Sequence, residues 1–281
     1  MLATQEHDKA AVDIALVANP EPGALMGYPR LRFIQSLWAG VERLLRDPAL
    51  PRNIPLARLI DPAMAATMVE GTVAAVLYLH RQFPSYLQQQ RNAQWRQLPQ
   101  PPAAQRKVAV LGFGAMGAPV ARALTSLGFP VTAWGLHARS GTSCDYAWGP
   151  DALATILADT RILINLLPLT AATSGILNAQ LFARLPRGAA LINLGRGGHL
   201  REAELLEALA AGQLGHAVLD VFDEEPLPVG HPFWSHPRIT VLPHVAASTD
   251  PATAAPIVMR NVAAFRAGAA LTGLVDPSRG Y

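Results

Sequence analysis

The amino-acid sequence predicts an α/β protein that combines a doubly wound parallel sheet with a second, smaller discontinuous lobe. Six short apolar runs alternate with helical patterns from Lys107 onward. A glycine-rich turn follows the first run, and polar residues close several of the later ones. Such alternation is typical of parallel strands that are joined by helices. The six predicted strands are KVAVLG, PVTAW, RILINLL, AALINL, HAVLDVF and ITVLPH.

The segment before Asp61 predicts the smaller, flavodoxin-like lobe. Its expected strands are VDIALV, LRFIQ and ARLI, with a helical piece from Val41 to Leu45. The stretch from Pro251 to Ala267 and the tail LTGLVDPSRGY are expected to return to this lobe, because neither half has enough apolar surface alone. We therefore predict a substrate-binding lobe from residues 1–67 and 251–281, a dinucleotide-binding domain from 68–250, and a cleft between them.

Helix boundaries are marked by their own signals. Asp61 and Pro62 predict an N-cap and first-turn proline for a helix that runs towards Arg81. A second helical piece is expected from Tyr86 to Trp95. A clear helical pattern runs from Arg201 to Ala211 and ends before a glycine, Gly212, which suits the C′ position.

Composition excludes several classes of protein. The chain has 281 residues, 51% of them hydrophobic, and a formal charge of +3. Its arginines form no basic run with interleaved aromatics, so no nucleic-acid partner is expected. The lone Cys144 and the scattered histidines predict neither a disulfide nor a metal site, and favour the cytoplasm. The longest apolar stretch, Val73 to Leu79, is far below the ~20 residues of a membrane span, so no membrane insertion is expected.

The turn after the strand KVAVL predicts a dinucleotide-binding (Rossmann) site. Gly112, Gly114 and Gly117 form the pattern GFGAMG between this strand and a helical stretch. The first glycine permits the tight turn, the second lets the backbone approach a pyrophosphate, and the third lets the helix lie close to the strand. Ala115 and Met116 complete the turn. A purely structural βα turn is the alternative.

The end of the second strand of this domain favours NADP(H) over NAD(H). An NAD site usually carries an acidic residue about 20 residues after the glycines, which binds the ribose 2′-hydroxyl. Here no acidic residue occurs before Asp145. His137, Arg139 and Ser140 are instead the expected cradle for a 2′-phosphate, since a guanidinium can bind phosphate through two hydrogen bonds. A solvated role for Arg139 is the alternative.

Three polar residues close apolar runs in the last third of the chain. Arg196, Glu225 and His244 lie in INLGRGG, LDVFDEEPLP and VLPHVAAS. Side chains that follow parallel strands can meet at one rim of the sheet, and these three suit the reduction of a carboxylate-bearing carbonyl compound. His244 is the candidate general acid, a neighbouring carboxylate favours its protonated ring, and Arg196 is suited to bind the substrate carboxylate. Glu224 competes with Glu225 for the middle role.

These motifs together resemble the D-isomer specific 2-hydroxyacid dehydrogenases, in particular the glyoxylate/hydroxypyruvate reductase A branch, over nearly the whole chain. The matching pieces are VLGFGAMG, INLLPLTAATSGILN, LINLGRGG, LDVFDEEPLP, HPFWSHPRITVLPHVAAS and VDPSRGY. The resemblance implies hydride transfer between a nicotinamide and C2 of a small 2-oxo or 2-hydroxy acid, and a homodimer. It places the family's catalytic residues on Arg196, Glu225 and His244, and prefers Glu225 because it directly precedes Pro226.

Further contacts are expected around these groups. In the small lobe, the backbone of Trp38, Ala39 and Gly40 joins a strand to a helix and is expected to bind a carboxylate. Asp220 is expected to meet the nicotinamide carboxamide or its ribose, with capping of the loop as the alternative. The remaining residues expected to line the cofactor are Leu167, Pro168, Thr173, Leu194 and Gly195, with Arg196 and His244.

The chain departs from the family pattern in two places. Gly195 stands where the family commonly has alanine before the catalytic arginine. Only eleven residues precede the run VDIALV, where the family's small lobe normally has another strand and helix, so an exposed sheet edge is expected. Two other functions therefore stay open: a non-catalytic dinucleotide sensor, and the same fold acting on another small acid such as formate or phosphite.

Overall fold

The computed structural model describes residues 7–142, 144–277 and 280. The chain divides into two compact units, one formed by Met1–Met64 with Thr249–Tyr281 and the other by Ala65–Ser248. The first boundary falls inside the helix that begins at Pro62, as does the boundary expected after residue 67. Each unit contains a parallel sheet of its own.

The smaller unit is built on three parallel strands in the order β1-β2-β3. These are β1 (Ile14–Val17), β2 (Phe33–Ser36) and β3 (Leu56–Ala57), and the short helix α1 (Glu42–Arg46) follows β2. The central strand β2 is fully buried, whereas β1 at the edge is partly exposed. The predicted strand ARLI is shorter than expected and starts one residue earlier, since the N–H of Arg58 bonds to Gly273 and leaves the ladder.

Helix α2 (Pro62–His80) begins as predicted, because an Asp61 oxygen accepts the N–H of Ala63 at 2.8 Å. By length and composition alone this 19-residue helix could span a membrane. The uninterrupted apolar run within it is only Val73–Leu79, and the helix passes this test because further alanines and methionines lie outside that run. Its buried side chains recur along one stripe and pack in a core cluster with Val108 and Val110 of the same unit, as in a core helix.

Helix α3 (Phe83–Arg91) lies earlier than the predicted range of 86–95. Pro84 in its first turn accounts for the early start, because proline is favoured there. The left-handed backbone of Ala93, with φ +50°, follows its end. Trp95 is consequently outside the helix and is 97% exposed.

The larger unit contains a seven-stranded parallel sheet in the order β10-β9-β8-β7-β4-β5-β6. Its strands are β4 (Val108–Leu111), β5 (Val131–Gly135), β6 (Asp145–Trp148), β7 (Ile162–Asn165), β8 (Ala189–Asn193), β9 (Leu214–Leu219) and β10 (Ile239–Val241). The strand order reverses between β4 and β7. In such sheets ligands bind beyond the carboxyl ends of the strands at this reversal. The predicted doubly wound fold is therefore confirmed.

The sequence predicted six of these strands and missed β6. This strand pairs with β5 at the edge of the sheet, and none of its residues is fully buried. A strand without a buried face lacks the apolar pattern from which the other six were identified.

Helices cover the sheet of the larger unit between its strands. These are α4 (Gly117–Ser126), α5 (Gly149–Leu157), α6 (Ala179–Ala183) and α7 (Glu202–Ala210). Helix α7 confirms the pattern predicted from Arg201 to Ala211, with Leu205 and Leu209 buried. Gly212 adopts φ +68° after its end, as expected for a C′ glycine.

Helix α8 (Pro251–Arg266) and the described part of the tail belong to the smaller unit. Phe265 stacks on Phe33 of β2 with ring centroids 4.9 Å apart. The buried Asn261 donates to Gln35 of the same strand at 2.7 Å. Leu274 in the tail forms an antiparallel bridge with Ala57. The two chain segments thus share one core.

Candidate active site

The three glycines of the turn after β4 differ in what a side chain would meet at each position. Gly112 has a φ of +99°, a conformation that L side chains rarely adopt. A Cβ on Gly117 would lie 1.8 Å from the carbonyl oxygen of Gly112, so the start of α4 can approach the turn only without a side chain. A Cβ on Gly114 would meet nothing within 4 Å. The turn, which Ala115 and Met116 complete, therefore leaves open space at Gly114. This space lies next to the N-terminal turn of α4, and helix N-termini favour the binding of anions.

The segment after β5 lies next to this turn, because β5 pairs with β4, the strand that the turn follows. His137, Arg139 and Ser140 are all exposed. The hydroxyl of Tyr146 donates to the carbonyl of His137 at 2.7 Å and ties the segment to the edge strand β6. These three side chains are thus accessible beside the glycine turn, where the sequence predicted the cradle for a 2′-phosphate.

The loop after β7 carries Leu167, Pro168 and Thr173. Leu167 is buried, and the fully buried Thr173 donates its hydroxyl to the carbonyl of Pro168 at 2.7 Å. The same hydroxyl accepts the N–H of Thr170 at 2.9 Å. Because both bonds lie within the loop, Thr173 is suited to shape this wall, and its expected direct contact with a cofactor stays a prediction.

Asp220 follows β9 and is only 1% exposed. Its two carboxylate oxygens accept the N–H groups of Val245 and Ala246, at 2.8 and 3.0 Å. Burial raises the pKa of this carboxyl, and the two backbone hydrogen bonds partly offset the rise. Asp220 thus holds the loop that carries His244, and its expected contact with the nicotinamide carboxamide or ribose stays a prediction.

His244 and Glu225 meet directly. Nδ1 of the imidazole lies 2.7 Å from Oε2 of the carboxylate, and Oε1 of Glu225 accepts the N–H of Phe222 at 2.9 Å. His244 adopts a left-handed backbone with φ +55°, directly before the two N–H groups that Asp220 holds. Glu225, and not the neighbouring Glu224, makes this contact with the imidazole. The side chains of both partners are partly accessible.

Arg196 follows β8, after Leu194 and Gly195. Its guanidinium donates from Nη1 to the carbonyl of Gly195 at 2.7 Å. The next residue, Gly197, lies so close to Phe222 that a Cβ there would be 1.9 Å from the Phe222 carbonyl carbon. This close approach brings the loop of Arg196 against the loop that ends in Glu225.

The predicted carboxylate-binding loop belongs to the smaller unit and lies between β2 and α1. The N–H of Trp38 donates to Oγ of Ser36 at 3.1 Å, and the carbonyl of Trp38 accepts the N–H of Leu59 at 3.0 Å. The indole is 46% exposed. Trp38, Ala39 and Gly40 therefore form an ordered loop, and its binding of a carboxylate stays a prediction.

Sequence reasoning missed a buried polar cluster beneath Arg196. Asn165 ends β7, Asn193 ends β8, and His199 follows in a short 3₁₀ turn; all three are fully buried. Nδ2 of Asn165 donates to Oδ1 of Asn193 at 2.9 Å and lies 3.0 Å from Nδ1 of His199. The sequence did contain a signal for this cluster, since an asparagine ends each of two apolar runs. Buried polar groups require hydrogen-bond partners, so two such residues indicate a buried polar cluster.

The glycine turn and the polar residues of the larger unit, predicted and missed alike, thus lie at the carboxyl ends of neighbouring parallel strands. The glycine turn follows β4, Asn165 ends β7, Arg196 follows β8, Asp220 follows β9 and His244 follows β10. In the described ranges no three histidine, cysteine, aspartate or glutamate side chains are grouped to hold a metal ion. The arrangement thus contains an imidazole in contact with a carboxylate, a guanidinium on the loop after β8, and a glycine-rich turn after β4.

Comparisons with known proteins agree with this arrangement. Residues 73–246 match the family model of the D-isomer specific 2-hydroxyacid dehydrogenase NAD binding domain. A glyoxylate/hydroxypyruvate reductase A of Salmonella paratyphi B is 41% identical over 279 residues, which is 98% of this chain and 89% of the relative.

Two solved structures superpose closely on this chain. A D-isomer specific 2-hydroxyacid dehydrogenase from Xanthobacter autotrophicus Py2, solved with NADPH and MES, is 39% identical with a TM-score of 0.94, covering 98% of this chain and 87% of that one. An NADPH-dependent glyoxylate/hydroxypyruvate reductase from Sinorhizobium meliloti, solved with NADP and sulfate, is 38% identical with a TM-score of 0.94, covering 99% and 89%. This chain therefore belongs to the D-isomer specific 2-hydroxyacid dehydrogenase family of NAD(P)-dependent oxidoreductases.

Proposed function

We propose that this protein reduces glyoxylate or hydroxypyruvate to the corresponding 2-hydroxy acid with NADPH. In the reaction, the 2-oxo acid, NADPH and one proton give the 2-hydroxy acid and NADP⁺. The observation that carries the proposal is the 2.7 Å contact between His244 and Glu225, beside the loop of Arg196. The relatives of Salmonella paratyphi B and Sinorhizobium meliloti that carry this activity in their names support the choice of substrate.

The glycine turn fits a dinucleotide. The open space at Gly114 admits a pyrophosphate close to the backbone, and the N-terminal turn of α4 offers N–H donors and the positive end of the helix dipole. Arg139, with His137 and Ser140, would hold the 2′-phosphate that distinguishes NADPH. When bound, the nicotinamide supplies a hydride to C2 of the substrate. The NADPH and NADP complexes of the two related structures support this cofactor.

His244 would supply the proton. Hydride addition to C2 leaves a negative charge on the carbonyl oxygen, and a general acid lowers the barrier by donating a proton in the transition state. Because Nδ1 faces the carboxylate of Glu225, Nε2 is the ring nitrogen left for this donation. Glu225 would fix the orientation of the ring through this contact.

Arg196 would bind the substrate carboxylate and polarise the carbonyl. A guanidinium is permanently charged and carries donors in a rigid fork, which suits an α-oxo carboxylate. Its Nη1 is fixed by the carbonyl of Gly195, so the group is held before substrate arrives. A preorganised donor of this kind stabilises developing charge without reorganisation in the transition state.

Steady-state oxidation of NADPH tests the proposal. Wild-type protein is assayed with glyoxylate, hydroxypyruvate and pyruvate, beside formate and phosphite with NADP⁺. We expect turnover with the first two acids, a loss in kcat of about 10²–10⁴-fold in His244→Ala, and a rise in KM of about 10–100-fold in Arg196→Ala. The matched control is His231→Ala, which removes a different histidine–glutamate pair 3.2 Å apart.

The outcomes distinguish the candidate functions. Micromolar NADPH binding by the wild type without turnover of any acid would leave the sensor function. Turnover of formate or phosphite alone would show that this enzyme acts on another small acid. Unchanged kcat in His244→Ala would exclude that residue as the general acid.

We also propose that the protein is a cytoplasmic homodimer. Phe83 and Leu87 of α3 are exposed apolar side chains, and the following segment exposes Trp95 almost completely. Burial of these side chains against a second copy would stabilise a dimer, and two-fold dimers are the commonest oligomers. Light scattering after size exclusion should give twice the chain mass, and Trp95→Asp should lower it. A monomeric wild type at micromolar concentration would reject the dimer.

A further inference from the structure

We infer that His199 is a positioning residue that holds the loop of Arg196 and the loop of Pro168 in a fixed relative position. Its ring does so as a neutral imidazole protonated on Nε2. The inference rests on the proposed function, since it concerns how two loops of that site are held relative to each other. His199 is fully buried, and its role differs from the proton transfer assigned to His244.

One side of the ring holds the peptide of Arg196. The backbone N–H of Arg196 donates to Nδ1 of His199 at 3.1 Å, and Nδ2 of Asn165 lies 3.0 Å from the same nitrogen. The carbonyl of Arg196 accepts Nδ2 of Asn193 at 3.2 Å. Both polar groups of the arginine peptide are therefore held by buried side chains, which fixes the point from which the guanidinium extends.

The other side of the ring reaches the loop after β7. Nε2 of His199 lies 3.2 Å from the carbonyl oxygen of Pro168, which also accepts the hydroxyl of Thr173. The backbone carbonyl of His199 accepts the N–H of Leu177 at 2.9 Å, at the far end of that loop. His199 thus connects the loop assigned to the substrate carboxylate with the loop assigned to the cofactor.

The partners define the tautomer. The carbonyl of Pro168 can only accept, so Nε2 carries the hydrogen. Two N–H donors, from Arg196 and Asn165, converge on Nδ1, which therefore accepts. The carbonyl of Arg196 is also 3.1 Å from Nδ1, but a proton on Nδ1 would face both donors. The neutral Nε2–H form satisfies more of these buried groups than either alternative.

Gly195 provides an independent sign that the cluster is closely packed. A Cβ at this position would lie 2.8 Å from Nδ2 of Asn165 and 3.2 Å from the ring of His199. The backbone of Gly195 has no left-handed conformation, so a side chain here would be opposed by lack of space and would require the cluster to shift. The residue before Arg196 therefore leaves room for the imidazole and the amide.

Two amide variants separate the two sides of the ring. In His199→Asn the amide oxygen can take the place of Nδ1 and keep the acceptor for Arg196, whereas the donor to Pro168 is lost. In His199→Gln the longer side chain can donate to Pro168, whereas the acceptor for Arg196 is lost. We expect about a tenfold rise in the KM of NADPH in the first variant and about a tenfold rise in the KM of glyoxylate in the second.

Two further variants complete the series. His199→Leu should raise both KM values and lower kcat, because it leaves polar groups on both sides unpaired. Gly195→Ala should raise mainly the KM of glyoxylate, since it displaces the cluster on the arginine side. The matched control is His231→Gln, because His231 also accepts a backbone N–H through Nδ1, from Phe233 at 3.3 Å, outside this cluster. It should leave both KM values unchanged.

A spectroscopic measurement tests the inference without turnover. Long-range ¹H–¹⁵N spectra of the ¹⁵N-histidine-labelled protein, with His199 assigned by its loss in His199→Gln, should show an unprotonated Nδ1 and a protonated Nε2 at pH 7. A protonated Nδ1 would overturn the inference. So would equal changes of both KM values in the Asn and Gln variants, or wild-type kinetics in His199→Leu. An inactive wild type that shows the expected tautomer would instead reject the reductase function and leave the cluster standing.

Discussion

The carboxylate of Glu225 holds His244 through one oxygen and its own loop through the other. Oε2 lies 2.7 Å from Nδ1 of the imidazole, while Oε1 accepts the N–H of Phe222 at 2.9 Å. A carboxylate anchored in this way cannot rotate freely, so it fixes the plane of the ring it contacts. The ring position is further constrained because His244 lies in a left-handed conformation, directly before two N–H groups bonded to Asp220.

Glu225→Gln should lower kcat by about 100-fold or more and leave NADPH binding unchanged. Glutamine can still accept the N–H of Phe222, but its amide group would then face Nδ1 and would remove both the negative charge and the acceptor. The imidazole therefore loses the partner that fixes its orientation. Stopped-flow turnover and cofactor fluorescence titration measure the two effects. Glu224→Gln is the matched control, and an equal loss there would contradict the assignment.

Alanine at Gly114 and at Gly117 should separate cofactor binding from stability. The space at Gly114 is open, so Gly114→Ala should keep the wild-type melting temperature but weaken NADPH binding by about tenfold or more, because the methyl group stands where the pyrophosphate approaches. Gly117→Ala should unfold at a lower temperature, since its Cβ would lie 1.8 Å from the oxygen of Gly112. Calorimetry and titration should therefore rank the two variants in opposite orders. Equal cofactor affinities for Gly114→Ala and the wild type would exclude close approach at this position.

The sequence predicts those parts of the molecule that apolar patterns or backbone rules mark locally. Buried strands such as β7 and β8 appear as uninterrupted apolar runs, and the turn at Gly112 requires glycine for its positive φ. Strand β6 was missed because it has no buried face. The hydrogen-bond partners of His199 and Asp220 depend on which loops pack across the end of the sheet, and no local pattern contains that information. Polar residues within apolar surroundings can be identified from sequence, but their partners cannot.

Arg139→Ala should reduce the preference for NADPH. The exposed side chain follows β5, next to the glycine turn, and a phosphate bonded to a guanidinium contributes a charge-assisted pair. We expect the KM of NADPH to rise by about 10–100-fold while the KM of NADH stays the same. Arg184→Ala, which removes an exposed arginine at the end of α6, is the control for total charge. A parallel rise for both cofactors would point to a general loss of the fold or of pyrophosphate binding.

Asp220→Asn should make the protein more stable at neutral pH but less active. Burial raises the pKa of this carboxyl, so the folded state binds the proton more tightly than the unfolded chain. The wild type therefore loses stability, relative to the neutral asparagine, as pH rises from below the ordinary aspartate value through the raised one. Melting temperatures should converge near pH 3 and separate by pH 7, with the variant higher.

Asparagine offers one acceptor where Val245 and Ala246 need two, so His244 loses part of its support and kcat should fall roughly tenfold. Asp223→Asn, at an exposed neighbouring position, should change neither the melting temperature nor kcat. A wild type that melts above Asp220→Asn at pH 7 would contradict the prediction, because the two hydrogen bonds would then outweigh the cost of burying the charge.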